Sequence, residues 1–210
     1  MTRGQEVPQE VPHEVSFGGE LDQRPLLGLD FGGTTIKGGV ILSGGGSPIC
    51  TGTAPFDPTV PAAEIYRRAA ALALELEAKA DLGAAKGIGV GCAGLFHRGT
   101  GEVLASANMR NLVGTSLSAG VSDALDGRPV VIENDANVAA YGEQWMGAGL
   151  HERDLVLVTL GTGVGGGVVL QDQLFTGPGG NAGEVGHMVI FQRPSNCAYD
   201  APYFPDLECA

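Results

Sequence analysis

The sequence has few aromatic residues, few basic residues and no long apolar run. Aromatic residues make up 6% of its 210 positions, and 12 lysines and arginines stand against 24 aspartates and glutamates, for a formal net charge of −12. This charge argues against a nucleic-acid surface, because nothing would attract the phosphate backbone. No run approaches the roughly 20 apolar residues that a membrane helix needs. Backbone N–H groups can still bind small anions locally.

The first two dozen residues also lack the basic start and the apolar stretch of an export signal. Residues 1–25 contain repeated glutamate and proline, so we interpret them as a disordered acidic arm. Cysteine is scarce and unevenly scattered, at Cys50, Cys92, Cys197 and Cys209. Together with the missing export signal, this distribution predicts a cytoplasmic protein without disulfides.

Glycine, by contrast, is abundant, with 35 residues, and it recurs in two similar segments. Residues 26–37 and 155–167 each contain an apolar strand-like run, a turn rich in glycine and hydroxyl groups, and a second apolar run. Glycine lets several backbone N–H groups approach phosphate oxygens, because it has no Cβ in the way. Two facing hairpins of this kind suggest a nucleotide clamp.

The second segment also satisfies the dinucleotide pattern G-x-G-x-x-G, at Gly161, Gly163 and Gly166. That pattern requires a helix to begin directly behind the glycines. Here residues 167–170 are Gly, Val, Val and Leu, and a polar turn follows. A hairpin is therefore favoured over a Rossmann turn. For either glycine cluster alone, an ordinary tight turn without a ligand stays open.

Hydrophobic periodicity predicts an α/β chain in which three strands, a helix and a further strand come first. After the strand that opens residues 26–37, strands are predicted at 36–42, 48–53, 86–93 and 129–132, with helices at 63–80, 116–125 and 137–146. From residue 154 the strand, glycine turn and strand pattern restarts, and a third strand is predicted at 187–191. A restart after more than about 100 residues indicates duplicated domains.

Four motifs carry a family resemblance: residues 30–37 (DFGGTTIK), 133–137 (ENDAN), 160–167 (LGTGVGGG) and 183–187 (GEVGH). Their order and spacing resemble the ROK family of sugar kinases, bacterial glucokinases above all. The resemblance implies the actin-like ATPase fold, in which ATP and sugar bind in the cleft between two ribonuclease H-like domains. It also implies a homodimer for full-length relatives.

On this resemblance, residues 26–150 form a complete first ribonuclease H-like domain, and residues 151–191 begin a second domain that is incomplete. Residues 192–210 form an atypical tail, because no glycine follows Gly186 and proline and aromatic residues appear instead. A shifted reading frame or an artificial end would produce such a change, and a divergent loop is the alternative. We expect five valines of the second domain to be left partly uncovered: Val156, Val158, Val168, Val169 and Val189.

The first motif predicts a phosphate and metal site. Asp30 ends a buried strand, where its carboxylate could hold Mg²⁺ directly or through water, although an aspartate at such a place also commonly caps a turn. The phosphates of ATP would meet N–H groups, hydroxyls and a lysine of the first motif and a glycine turn of the second segment. These candidates are Gly32, Gly33, Thr34, Thr35, Lys37, Gly161, Thr162 and Gly163. For Lys37, a solvated strand lysine is favoured over a phosphate contact.

Asp135 lies where a predicted strand meets a predicted helix. A carboxylate in this position is a good N-cap. The resemblance implies a different role: the matching aspartate of the family takes the proton of the sugar's primary hydroxyl as that oxygen attacks the γ-phosphate. We therefore predict that Asp135 is the general base.

Sugar hydroxyls need amide and carboxylate partners, because a buried hydroxyl without a partner is costly. The predicted sugar-binding residues are Asn108, Asn134, Asp135, Glu184 and His187. Two loops depart from the family. Asn108 lacks the proline that usually precedes it, and Ala93 stands where the family commonly has proline. The identity of the hexose is therefore open, with glucose the expected one.

The resemblance also implies a structural zinc ion, bound by the histidine that matches His187 and by three cysteines close behind it. Here only Cys197 and Cys209 follow. A closed structural site has four ligands, so we expect no zinc to be bound.

Three functional hypotheses result. The first is an ATP-dependent kinase that converts glucose to glucose 6-phosphate, impaired in this chain. The second is a non-catalytic, sugar-responsive regulator of the ROK type, although the acidic residues before Leu26 do not supply a DNA-binding helix-turn-helix. The third is an inactive kinase remnant.

Overall fold

The structure, a computed structural model, describes residues 23–106, 108–161 and 163–188. The strands are β1 Pro25–Phe31, β2 Thr35–Leu42, β3 Cys50–Pro55, β4 Gly87–Cys92, β5 Leu95–His97, β6 Glu102–Ala105, β7 Val130–Asn134, β8 Leu155–Leu160, β9 Val164–Leu170 and β10 Gln173–Phe175. The helices are α1 Ala62–Ala80, α2 Leu117–Asp123 and α3 Asp135–Met146, with 3-10 turns at Arg110–Leu112 and Val185–His187.

A five-stranded sheet has the order β3-β2-β1-β4-β7. The first three strands pair antiparallel, and β4 and β7 add parallel to β1. Side chains alternate along β1: Leu27, Leu29 and Phe31 are buried, whereas Gly28 and Asp30 lie exposed on the opposite face. The buried face packs on α1 and α2. The opposite face, which carries Asp30, opens to a cleft.

Helix α1 approaches the sheet closely because glycine lies beneath it. A Cβ on Gly38 would lie 2.7 Å from Cδ1 of Leu76, and one on Gly52 would lie 3.1 Å from Cδ1 of Leu72. Ile65, Leu72 and Leu76 are buried in this contact. The layer under the cleft is therefore a well-packed core and a rigid support for residues on the other face.

The end of α1 is held by a shielded ion pair. Glu77, 9% exposed, accepts hydrogen bonds from Arg128 at 2.6 and 2.9 Å and from the Ala85 N–H at 2.7 Å. Burial raises the pKa of Glu77, but the bonds from Arg128 and Ala85 outweigh it, so the pKa is lowered. The pair ties α1 to the loop that enters β7.

A second sheet of three strands has the order β10-β9-β8. Strands β8 and β9 form an antiparallel hairpin around Gly161 and Gly163, which confirms the hairpin prediction over the Rossmann turn. The third strand is β10, reached through a tight turn in which Gln171 and Asp172 both have positive φ. The prediction of a strand from residue 187 is wrong at its start, because His187 ends a 3-10 turn. Residues 189–191 lie outside the described residues.

The two faces of β8 differ in exposure. Val156 and Val158 are 63% and 49% exposed, as expected, and Val168 is half-buried. Val169 is fully buried, so its expected exposure is wrong. It pairs with Leu155 on the face that α3 covers, whereas the exposed valines point to the other face. Val189 lies beyond the part that the structure describes.

Most predicted elements are present, with ends shifted by at most two residues. The structure adds a hairpin of the short strands β5 and β6, which periodicity did not predict. Helix α3 begins at Asp135, two residues before its predicted start. Within the described ranges, no helix has the length and apolar character needed to cross a bilayer.

Candidate active site

Strand register brings the polar residues of three strands to one edge of the first sheet. Asp30 lies opposite Lys37 of β2 and Gly91 of β4, and Gly91 lies opposite Glu133 of β7. Residues paired in this way point to the same face. Gly91 leaves this row open, and a Cβ there would lie 3.6 Å from Cγ2 of Val138 in α3. Helix α3 thus starts directly beside the carboxylate of Asp30.

The N-cap of α3 is Asn134 and not Asp135. The Oδ1 of Asn134 accepts hydrogen bonds from the N–H groups of Ala136 at 2.9 Å and Asn137 at 3.2 Å. Asp135 is the first helical residue, and its Oδ1 accepts a further bond from Ala136 N–H at 2.9 Å. The partial positive charge of a helix N-terminus favours a carboxylate there. Because Asn134 caps the helix, Asp135 is not needed for that role.

Glycines of β9 fix the position of α3. A Cβ on Gly167 would lie 2.6 Å from Cβ of Ala140 and 2.8 Å from the carbonyl oxygen of Ala136, and one on Gly165 would lie 3.2 Å from Cβ of Ala136. Real Cβ atoms do not come as close as 2.6 or 2.8 Å, so Gly167 is required for this packing, and a Cβ on Gly165 would make Ala136 shift by a few tenths of an ångström. The second half of the LGTGVGGG motif therefore has a packing role, because it places the helix that carries Asp135.

The first half of that motif has free space around it. Around Gly161 and Gly163, a Cβ would meet no described atom within 4 Å. Both residues line an open cleft of about 2180 Å³ between the two sheets. Most of the predicted site residues line the same cleft: Asp30, Gly32, Gly33, Lys37, Asn108, Asn134, Asp135, Glu184 and His187. Thr34 and Thr35 are not among the lining residues, and Thr162 lies outside the described residues.

In the cleft, the charge of Asp135 acts on the carboxyl group of Asp30. Although Asp30 as a whole residue is exposed, partial burial of its carboxyl group raises the pKa of Asp30; the charge of Lys37 opposes this change, and that of Asp135 adds to it. The thiol of Cys92 lies fully buried beneath them. Burial and the charges of Asp135 and Asp30 raise its pKa to about 12. A cation between Asp30 and a phosphate would relieve this repulsion.

The sugar-side residues come from three separate segments. Asn108 lies against the turn between β1 and β2, because a Cβ on Gly33 would be 3.5 Å from Cβ of Asn108. The Nδ2 of Asn134 donates to the Gly94 carbonyl at 3.4 Å. Glu184 caps the 3-10 turn that His187 ends, and Oε2 of Glu184 lies 3.8 Å from Nε2 of His187. The structure thus brings all the predicted sugar-binding residues to one cleft.

A family model described as ROK family matches residues 26–201. The chain belongs to the ROK family. A Glucokinase from Halalkalibacterium halodurans is 36% identical over 190 positions, covering 84% of this chain and 54% of the relative. A Xylose repressor from Caldicellulosiruptor bescii is 36% identical over 112 positions, covering 53% of this chain and 28% of the repressor.

Solved ROK structures share the fold. A ROK hexokinase from Thermus thermophilus has a TM-score of 0.71 at 31% identity, covering 80% of this chain and 54% of that one. A ROK glucokinase from Streptomyces griseus, in complex with glucose and AMPPNP, has a TM-score of 0.67 at 34% identity, covering 79% and 51%. The predicted α/β, actin-like ATPase fold is confirmed. The chain spans about half the length of the curated relatives it matches.

Metal ligands of this ROK chain are few in the described part. Across residues 23–106, 108–161 and 163–188, no group of three or more His, Cys, Asp or Glu side chains could hold a metal ion. Cys197 and Cys209, two of the three candidate zinc ligands, lie beyond these ranges, so the zinc prediction is untested. Mg²⁺ needs less from the protein, because one carboxylate such as Asp30 suffices when phosphate oxygens and waters complete its shell.

Sequence analysis missed three polar residues near Asp135, the predicted base. Glu133 and Asn137 belong to the ENDAN motif but received no role, and Arg98 lies in the hairpin that was not predicted. In the structure Glu133 contacts both Arg98 and Asn137. A charged residue inside a matched motif is a signal that could have singled out Glu133. Arg98 has no comparable signal in the sequence.

Replacing Gly167 tests the packing of α3. The variant Gly167→Ala should lower the free energy of unfolding by about 1–3 kcal/mol, because its Cβ would overlap Ala136 and Ala140. Gly161→Ala is the matched control, since a Cβ there meets open space and neither glycine has positive φ. Urea denaturation of both variants measures the difference. Equal effects would contradict the assignment of Gly167 to packing.

The raised pKa of Asp30 predicts a stability change with pH. An acid whose pKa is raised above its ordinary value, 3.8, weakens the folded state as pH rises through the folded pKa. The Asp30→Asn variant should therefore have a higher free energy of unfolding than the wild type, and the difference should be larger at pH 7 than at pH 4.

Thermal melting at the two pH values measures this effect. Asp57→Asn is a control of opposite sign, because hydrogen bonds from Thr59 lower the pKa of Asp57. If the melting temperature of the wild type instead rises relative to that of Asp30→Asn between pH 4 and pH 7, the raised pKa is contradicted.

Proposed function

We propose that the protein is an ATP-dependent hexose kinase that converts glucose to glucose 6-phosphate. The observation that carries this proposal is the position of Asp135, at the N-terminus of α3 in the cleft between two glycine hairpins. One hairpin presents Gly32 and Gly33, and the other presents Gly161 and Gly163. A base placed between two phosphate-binding turns has the arrangement that phosphoryl transfer to a hydroxyl requires.

In the proposed reaction the 6-hydroxyl oxygen of glucose bonds to the γ-phosphorus of ATP. The bond from that phosphorus to the bridging oxygen breaks, and ADP leaves. The hydroxyl proton passes to the Asp135 carboxylate, which must lie within hydrogen-bond reach of the attacking oxygen. The packing of Ala136 and Ala140 on β9 holds this carboxylate in place while the substrates come and go.

The phosphates are proposed to lie over the two glycine turns, where backbone N–H groups donate to their oxygens. Thr34, Thr35 and Thr162 stay candidate hydroxyl donors, and Lys37 a candidate charge contact. Asp30 would hold Mg²⁺, which neutralises charge on the transferred phosphoryl group. The repulsion between Asp30 and Asp135 favours a cation there, because a bound positive charge offsets it.

Glucose is the proposed hexose because of the chemistry of the lining residues and the names of the relatives. Asn108, Asn134, Glu184 and His187 supply amide, carboxylate and imidazole partners for ring hydroxyls. The relatives include proteins named Glucokinase and a glucokinase structure containing glucose and AMPPNP. ATP is the proposed phosphoryl donor on the same grounds. We also propose a homodimer and a cytoplasmic location.

We further propose that the 210-residue chain turns over more slowly than its longer relatives. The outer face of β8 exposes Val156, Val158 and, at 81%, Leu160. Burying one such side chain contributes about 1.5–3 kcal/mol, so an exposed row is a sizeable loss for a domain whose net stability is about 5–15 kcal/mol. Exposed strands of this kind also favour aggregation.

The decisive substitution is Asp135→Asn, which keeps the shape of the side chain and removes the base. Glucose affinity by titration calorimetry should stay close to wild type, while kcat for glucose-dependent ADP release falls about 10²-fold or more. A coupled ADP assay with glucose, mannose, fructose, N-acetylglucosamine and N-acetylmannosamine measures turnover.

Two outcomes would contradict the proposal. An unchanged kcat in Asp135→Asn would remove the aspartate from the chemistry. Sugar binding without turnover of any hexose would instead favour a sugar-responsive regulator. The relatives include a protein of that kind, the Xylose repressor.

A further inference from the structure

The hairpin formed by β5 and β6 sends a charged side chain to the strand that precedes the base. Arg98, in the turn after β5, donates from Nη2 to Oε2 of Glu133 at 2.5 Å. The Arg98 side chain is 51% exposed and that of Glu133 is 26% exposed, so solvent screens the attraction between their charges only in part. The two residues lie 35 positions apart in sequence. The contact therefore joins two separate segments of the chain.

The other carboxylate oxygen of Glu133 faces the first turn of α3. Its Oε1 accepts hydrogen bonds from the N–H of Asn134 and from Nδ2 of Asn137, both at 2.9 Å. Asn137 is 2% exposed, and its Oδ1 has no hydrogen-bond partner among the described residues. The bond to Glu133 is thus the side-chain hydrogen bond that holds this buried amide. Glu133 contacts residues on both sides of Asp135 in sequence.

From these contacts we infer that Arg98 and Glu133 form a positioning pair for Asp135. Arg98 fixes one oxygen of Glu133, and the other oxygen then holds the peptide of Asn134 and the side chain of Asn137. Asp135 lies between these two anchors, so its orientation depends on them. Charge-assisted hydrogen bonds suit this task, because they are shorter and stronger than neutral ones. The effect on catalysis rests on the proposed function, whereas the link from Arg98 through Glu133 to Asn134 and Asn137 rests on geometry alone.

The small recess around the pair adds a second constraint. Gly180 and Glu184, from the segment after the second sheet, line it together with Arg98 and Glu133. A Cβ on Gly180 would lie 3.8 Å from Nε of Arg98, so the guanidinium rests beside this loop. The pair therefore lies beside the proposed sugar-binding Glu184 and beside Asn134, the residue before the proposed base.

Hydrogen exchange in the 210-residue chain tests the coupling without any need for catalysis. Arg98→Ala should speed exchange of the Asn134 amide about fivefold, because its acceptor loses its anchor, and leave the amides of Gly142 and Glu143 unchanged. Arg98→Lys, which keeps the charge, should restore most of the protection. The matched control is Arg153→Ala, which removes an ion pair with Asp172 of 2.9 Å at the far end of β8. Unchanged exchange at Asn134 would overturn the inference.

Steady-state kinetics tests the positioning role. Arg98→Ala should lower kcat about tenfold with the KM for glucose within about twofold of wild type, because a misplaced base affects the transition state more than sugar binding. Arg153→Ala should leave both parameters unchanged, and Arg98→Lys should recover kcat.

The exchange and kinetic experiments together distinguish a failure of the inference from a failure of the proposed function. A higher KM with unchanged kcat in Arg98→Ala would overturn the inference and make Arg98 a sugar contact. A wild type without turnover would overturn the proposed function for this chain, and the exchange result would then decide the coupling by itself.

Discussion

The close contact between α3 and β9 is the constraint on which the site depends. It exists because Gly165 and Gly167 have no side chain where Ala136 and Ala140 come to rest. The contact fixes the start of α3 against the second glycine hairpin. Gly91 has no side chain, so the same helix can also pack beside the first sheet. A carboxylate on the first residue of this helix is therefore placed between both hairpins. Position, more than the chemistry of one residue, makes Asp135 the candidate base.

This arrangement divides the glycines of one motif between two physical tasks. Gly161 and Gly163 face open space in the cleft, as expected of residues that a ligand covers, whereas the later glycines are covered by protein. The acidic residues show a related division. Glu77 is buried and fully paired at the end of α1, but Asp30 carries a raised pKa beside Asp135. Unfavourable electrostatics at the cleft is typical of sites that bind charged ligands.

Strong local patterns made much of the fold predictable. The apolar run at β1 and the helical spacing in α1 predicted both elements, and four motifs predicted the family. Shorter signals failed: β5 and β6 are too short to show periodicity, so Arg98 could not be placed. The third strand was predicted at residues 187–191, beyond the polar turn at Gln171 and Asp172, so the three-residue strand β10 directly after that turn was missed. The capping by Asn134 depends on side-chain geometry, which adjacency in sequence does not reveal.

The most direct test of the account is a crystal structure of the protein with glucose and a non-hydrolysable ATP analogue. The account predicts the glucose 6-hydroxyl within about 2.6–3.2 Å of the Asp135 carboxylate, with the γ-phosphate over Gly32 and Gly33. It also predicts that α3 stays packed on Gly165 and Gly167. Glucose bound away from Asp135, or phosphates bound away from both glycine turns, would contradict the central claim.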